Sequence, residues 1–162
     1  MKKFYFFHGL ESTPTGSKYQ RLKEEFKDYE LQSPDFQGMD LEERLEKALR
    51  ITAHETDLVI VGSSFGGLLA SALYSLHPER IAALVLMAPA LHRADAQAYV
   101  ERLPTQDRIV VIHGRDDDVV PLDAVRSFLK DHLIEVVEVD DGHRLAQSQD
   151  LMVEATRRFL ES

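Results

Sequence analysis

Along this chain, short apolar stretches alternate with longer segments of helical periodicity. Six stretches stand out: "FYFF" (4–7), "YELQSPDF" (29–36), "DLVIVG" (57–62), "IAALVLMAPA" (81–90), "RIVVIHG" (108–114) and "IEVVEVD" (134–140). Several are continuously apolar rather than alternating, which predicts strands covered on both faces. The second has the weakest pattern. Between them, "DLEERLEKALRITAHE" opens with Asp40 and places Glu43 three residues later, the spacing of a capping box. Its Leu41, Leu45, Ala48, Leu49 and Thr52 fall on one helical stripe. "PLDAVRSFLKDH" begins with Pro121, a residue favoured at the first helical position. "LAQSQDLMVEATRRFLES" carries Leu145, Ser148, Met152, Ala155 and Phe159 on one face. Six strands separated by helices predict repeated βαβ units and a parallel sheet. No repeat, low-complexity segment or linker interrupts the pattern, so residues 1–162 read as one domain.

Composition narrows the function classes. A chain of 162 residues buries about 70% of its unfolded surface and needs no covalent staple. It has no cysteine, which removes disulfides, thiolate nucleophiles and thiolate zinc sites together. That is compatible with a reducing cytoplasm, the expected location. The net charge is −9 and the basic residues are scattered, so a nucleic-acid surface is not expected. "MKKFYFF" begins like a secretory signal, but the apolar run ends at His8 and Gly9, short of the roughly 7–15 residues such a signal needs. No stretch approaches the ~20 apolar residues of a membrane span.

In a parallel sheet, ligands gather beyond the carboxyl ends of the strands. The residues after the first stretch are "HGLESTPTGSK". Those after the third are "SSFGG", after the fifth "RDDDVVP" and after the sixth "DGHR". These loops offer serine, aspartate and histidine in that order. Gly62 to Gly66, "GSSFG", fits G-x-S-x-G with Ser64 at the centre. A sharp strand-to-helix turn brings the residues two before and two after the serine together, so side chains there would collide. The serine is then held in a strained conformation with its hydroxyl exposed above the sheet. The plainer alternative is a tight turn with a capping serine.

A serine hydroxyl needs a base to take its proton. Of the seven histidines, His143 sits in the loop after the last strand and is the candidate. The third group should orient and charge-balance the imidazole. The residues alone leave Asp116, Asp117 and Asp118 open, with Asp140 or Asp141 further off. Two N–H donors are needed for an oxyanion: Phe65, just after Ser64, and Leu10, after "HG" in the first loop. Phe36, Met87 and Leu91, near strand ends, are candidate walls of an apolar pocket.

These residues together resemble the α/β-hydrolase superfamily. The resemblance spans nearly the whole chain and rests on "HGL", "GSSFGG", "HGRDDDVVP" and "DGH". Members commonly show H-G-x-x-D-x-x-V-P, and aligning that motif sets Asp117 as the acid. The short length and "FFHGLESTPTGSK" look like a small, lidless bacterial esterase branch that keeps only a minimal core. The resemblance implies an α/β three-layer sandwich of about six parallel strands, order 2-1-3-4-5-6, with helices on both faces. It implies hydrolysis of a small-molecule ester or thioester through an acyl-enzyme, using Ser64, Asp117 and His143 without metal or organic cofactor. Activity should then rise through about pH 6.5 for an ordinary imidazole. Two departures are expected. The first strand already carries the oxyanion loop, leaving no counterpart for two leading antiparallel strands, and residues 91–107 leave room for about one helix where a lid is usually inserted. A binding protein that kept the fold and lost turnover is the alternative from another class.

Overall fold

In the computed structural model, which describes residues 2–162, all six strands form one sheet. They are β1 (Lys3–Phe7), β2 (Glu30–Gln32), β3 (Leu58–Ser63), β4 (Ile81–Met87), β5 (Ile109–Gly114) and β6 (Val136–Val139). Their order is β2-β1-β3-β4-β5-β6, and every neighbouring pair is parallel. The order reverses once, at β1 and β3, so the crevice above those two strands is the switch point at which such sheets bind ligands.

Six helices cover the sheet: α1 (Ser17–Glu25), α2 (Leu41–Ile51), α3 (Phe65–Leu76), α4 (Ala94–Tyr99), α5 (Leu122–Lys130) and α6 (Gln149–Leu160). Two apolar clusters form, one on each face. Phe7, Ile60, Leu84 and Val111 meet α2, α3 and α5. Phe4, Val59, Val85 and Ile112 meet α1 and α6. The central strands β3, β4 and β5 are apolar along most of their length because both faces are buried, with Ser63 and His113 as polar residues near their carboxyl ends.

The stripe expected on α2 is present: Leu41, Leu45, Ala48 and Thr52 are buried and Leu49 is half-buried. Asp40 and Glu43 form the reciprocal cap, with Glu43 N–H 2.9 Å from Asp40 Oδ1 and Asp40 N–H 3.2 Å from Glu43 Oε1. Other boundaries differ from expectation. The second strand holds only Glu30–Gln32 because it is the sheet edge and pairs β1 at three residues. The fourth stops at Met87, where Ala88 takes a positive φ of 47°. Pro121 lies just outside α5, with extended backbone. The last helix begins at Gln149, although Leu145 and Ser148 are buried with its inner face. Between β4 and β5 the only α-helix is the short α4. Among the described residues no helix is long and apolar enough to cross a membrane.

Candidate active site

The four loops singled out in the sequence all leave the carboxyl end of the sheet, after β1, β3, β5 and β6. At the end of β3 the chain turns straight into α3, and Ser64 occupies the turn with φ 54° and ψ −114°. A non-glycine residue in that region is strained and is held there only by its surroundings. The Ser64 N–H donates to Met87 O at 2.8 Å, and its carbonyl accepts the N–H groups of Gly67, Leu68 and Ala90. A Cβ on Gly62 would lie 2.6 Å from Gly66 O, and one on Gly66 would lie 2.0 Å from Phe7 O. The two glycines flanking the serine are therefore required by close approach of backbone, as the motif's geometry predicts.

His143 reaches the serine from the β6 loop. Its Nε2 is 3.1 Å from Ser64 Oγ, and its Nδ1 is 2.8 Å from Asp117 Oδ2. Two backbone contacts align the loops that carry them: Arg115 N–H donates to Val139 O at 2.8 Å and Asp116 N–H to Asp141 O at 3.2 Å. These extend the β5–β6 ladder past the strand ends. The Asp117 side chain is fully buried and its Oδ1 accepts the Val119 and Val120 N–H groups at 2.9 and 2.7 Å. The alternative acids are occupied elsewhere or exposed. Asp140 pairs with Arg115, and Asp141 accepts from Gly142, Gln147 and Ser148. Asp116 and Asp140 are exposed.

The sequence reading missed several groups around this chain of contacts. His113, fully buried on β5, places Nε2 2.8 Å from Val120 O and 3.2 Å from Asp117 Oδ2. Its Nδ1 has no partner among the described residues, which puts the ring proton on Nε2. Burial pushes the His113 pKa down, so the ring is a neutral donor. In the β1 loop, His8 is also fully buried. Its Nδ1 is 2.8 Å from Gly9 O, and its Nε2 accepts the Phe36 N–H at 2.8 Å. Burial, followed by the neighbouring Arg44 charge, lowers the His8 pKa, although its bond to Gly9 O pulls the other way.

Arg44, on α2, is fully buried, and among the described residues no carboxylate lies within ion-pair distance of it. An arginine on a helix otherwise bearing Glu42, Glu43 and Glu46 reads as solvent-facing from sequence, and its i, i+3 spacing from Leu41 and i, i+4 spacing to Ala48 were the signals that hinted otherwise. Its N–H groups donate to Met39 O, His8 O, Gly9 O and Leu10 O at 3.1, 2.9, 3.2 and 3.4 Å. Burial lowers its pKa to about 10, so it stays charged at neutral pH. The guanidinium sits 4.8 Å from the centre of the Phe65 ring, and Arg93 sits 4.6 Å from the same ring.

The Phe65 N–H opens α3, where the first turn has no intrahelical acceptor. The Leu10 N–H likewise makes no hydrogen bond within the described residues. A Cβ on Gly9 would lie 3.5 Å from Ser64 Cβ, so this loop passes directly beside the serine. The expected pocket walls are not open to a ligand. Phe36, Met87 and Leu91 are 0%, 0% and 3% exposed; Phe36 packs edge-on to Phe7, and Met87 belongs to the core on the α6 side. Apolar residues near strand ends serve the core here. Leu10 and Val119 are the exposed apolar side chains next to the site, at 49% and 57%. Among the described residues no group of three or more His, Cys, Asp or Glu is gathered to hold a metal ion.

This fold, with a strained serine after the third strand, is that of the α/β hydrolases. The alpha/beta hydrolase fold family matches residues 7–108, and the chain belongs to that family. It is similar over 99% of its length to an α/β-superfamily protein from Xanthomonas campestris pv. campestris, with 99% of that chain covered, 25% identity and a TM-score of 0.82. Est1E from Butyrivibrio proteoclasticus, seen with ferulic acid bound, is 18% identical with a TM-score of 0.77, over 99% of this chain and 88% of that one. A pyrethroid hydrolase from Sphingobium faniae JZ-2 is 17% identical with a TM-score of 0.70, over 99% and 98%. No curated protein sequence matches the chain.

Proposed function

We propose that this chain is a serine hydrolase of the carboxylesterase or thioesterase type, acting on small-molecule esters as a single domain without a substantial lid. The observation that carries the reading is the run of contacts from Ser64 Oγ to His143 Nε2 at 3.1 Å and from His143 Nδ1 to Asp117 Oδ2 at 2.8 Å. A neutral imidazole with Nδ1–H donating to the carboxylate leaves its Nε2 lone pair facing the hydroxyl, the tautomer a general base needs. His143 takes the Ser64 proton as Oγ attacks the ester carbonyl. The Phe65 and Leu10 N–H groups receive the oxyanion. His143 then protonates the leaving alcohol or thiol, and water repeats the sequence on the acyl-serine. The buried Asp117, already held by two backbone N–H groups, balances the imidazolium. No metal or organic cofactor enters this scheme. The ferulic acid bound to one neighbour and the pyrethroid-hydrolase name of another guide the choice of a first panel of aryl and alkyl esters, with matched thioesters alongside.

The test is labelling with a fluorophosphonate, read by intact mass and peptide mapping. A single adduct on Ser64, absent from Ser64→Ala, is expected. A wild-type protein that takes up no label, or labelling that survives the substitution, overturns the reading and favours a binding role on the same fold.

A further inference from the structure

The Gly9–Leu10 peptide joins two features already described. Its carbonyl accepts from Arg44 Nη2 at 3.2 Å and lies 2.8 Å from His8 Nδ1, while its N–H, belonging to Leu10, is free of protein acceptors. All peptide bonds described are trans, so carbonyl and N–H point in opposite directions across the plane. Fixing the oxygen from the Arg44 side therefore aims the N–H away from Arg44. The guanidinium also holds the carbonyls on either side, His8 O and Leu10 O. Three consecutive carbonyls of one loop are thus gathered by one side chain from another element.

We propose that Arg44 is a positioning residue for the oxyanion site: it clamps and polarises the Gly9–Leu10 peptide so that the Leu10 N–H is presented to the reacting centre. The inference rests on the serine hydrolase reading and adds to it a source for the geometry of one donor. Burying a guanidinium with no carboxylate is costly unless its N–H groups are satisfied. Here backbone carbonyls satisfy it, which leaves its positive charge without an ion-pair partner behind the peptide, with Asp35 acting on it only from beyond ion-pair distance. A hydrogen bond to a carbonyl polarises the whole amide and strengthens its N–H as a donor. The same guanidinium lies over the Phe65 ring, so one side chain touches the residues that supply both proposed donors. A purely structural filler would need only the apolar stem and ring contacts. The bonds to His8, Gly9 and Leu10 go beyond that requirement.

The experiment compares wild type, Arg44→Met, Arg44→Lys, Leu45→Ala and Ser64→Ala. The first readout is the second-order rate of fluorophosphonate labelling, whose transition state places charge on an oxygen in the proposed oxyanion site. The second is the ¹⁵N order parameter of the Gly9 and Leu10 amides. Arg44→Met should label about 10- to 100-fold more slowly, up to the scale of losing one oxyanion donor. Its order parameters should fall from the ~0.85 of rigid backbone towards ~0.6. Arg44→Lys, with fewer donors, should lie between. Leu45→Ala weakens the same helix without donating to the loop, and should label at the wild-type rate. Wild-type labelling and order parameters in Arg44→Met, or an equal loss in Leu45→Ala, would overturn the proposal. If Arg44→Met does not fold, an unaltered rate and rigid loop in Arg44→Lys overturn it instead. If Ser64 takes no label in the wild type, the hydrolase reading fails separately and the order parameters alone decide the clamp.

Discussion

The buried His113 ring lies 3.2 Å from the same Asp117 oxygen that faces His143 Nδ1. Two imidazoles therefore converge on one carboxylate oxygen, one from inside the sheet and one from the solvent side. The inner ring is fixed as a neutral Nε2–H donor, because its other nitrogen has no partner. Replacing it with phenylalanine removes that donor and leaves Val120 O without its 2.8 Å contact. We expect His113→Phe to lose about 1–3 kcal/mol of stability, the cost of an unsatisfied buried acceptor. Its kcat should fall with KM little changed, because the carboxylate is less well fixed. Steady-state kinetics beside urea unfolding checks both, and an unaltered kcat would separate His113 from the chemistry.

His8 and His113 share a second consequence. Burial holds both below the ordinary value of 6.5. Between the depressed native value and 6.5, the unfolded chain binds protons that the native protein does not, so acid favours unfolding in that window. Stability should be fully present above about pH 6.5 and decline as the pH falls below it, before ordinary carboxylates titrate. Urea midpoints from pH 8 down to pH 5 measure this. A midpoint that is flat until the carboxylate range would show that these rings accept protons freely in the fold.

The elbow offers a paired test of backbone crowding. A Cβ at Gly66 would sit 2.0 Å from Phe7 O, whereas one at Gly142 meets nothing within 4 Å. Gly66→Ala must displace β1 from α3 and should cost ~3 kcal/mol or prevent folding, the scale of severe overpacking. Gly142→Ala should stay within about 0.5 kcal/mol of wild type. Equal denaturation midpoints for the two variants would contradict the elbow geometry.

Because the proposed donor at Leu10 is its backbone, its side chain should matter little. Leu10→Ala should retain esterase activity within a few-fold. Leu10→Pro removes the N–H and should lower kcat about 100-fold or more. Circular dichroism checks that both fold, and an active proline variant would exclude Leu10 as an oxyanion donor.

How far the sequence carried these conclusions depended on whether local pattern or tertiary context decided each feature. Continuous apolar runs marked β1, β3, β4 and β5 because these inner strands are buried on both faces, whereas the edge strands β2 and β6 are largely not buried and left a weaker pattern. The glycines at 62 and 66 marked the elbow because no other residue fits there. α1 was not anticipated: "SKYQRLKEE" buries only Leu22, which leaves no stripe to read. Arg44 was read as neither core nor site, since its burial is fixed by the carbonyls of a loop 34 to 36 residues away. The walls proposed from Phe36, Met87 and Leu91 came from the opposite weakness, because an apolar residue near a strand end has the same pattern whether it faces a ligand or the core.

The segment from Ala88 to Arg108 joins β4 to β5 while its ends are already fixed. The Ala88 N–H donates to Ile112 O at 2.8 Å, and Leu84 pairs with Ile109. Ser64, Asp117, His143 and Gly9 all come from other loops. Extra chain inserted beyond Ala90, whose N–H holds the Ser64 carbonyl, lengthens a closed loop, at only about 0.6 kcal/mol for each doubling. That makes the segment a natural grafting port: a cap of chosen shape and chemistry can be mounted over the serine to select substrates, with the machinery beneath it left as it is.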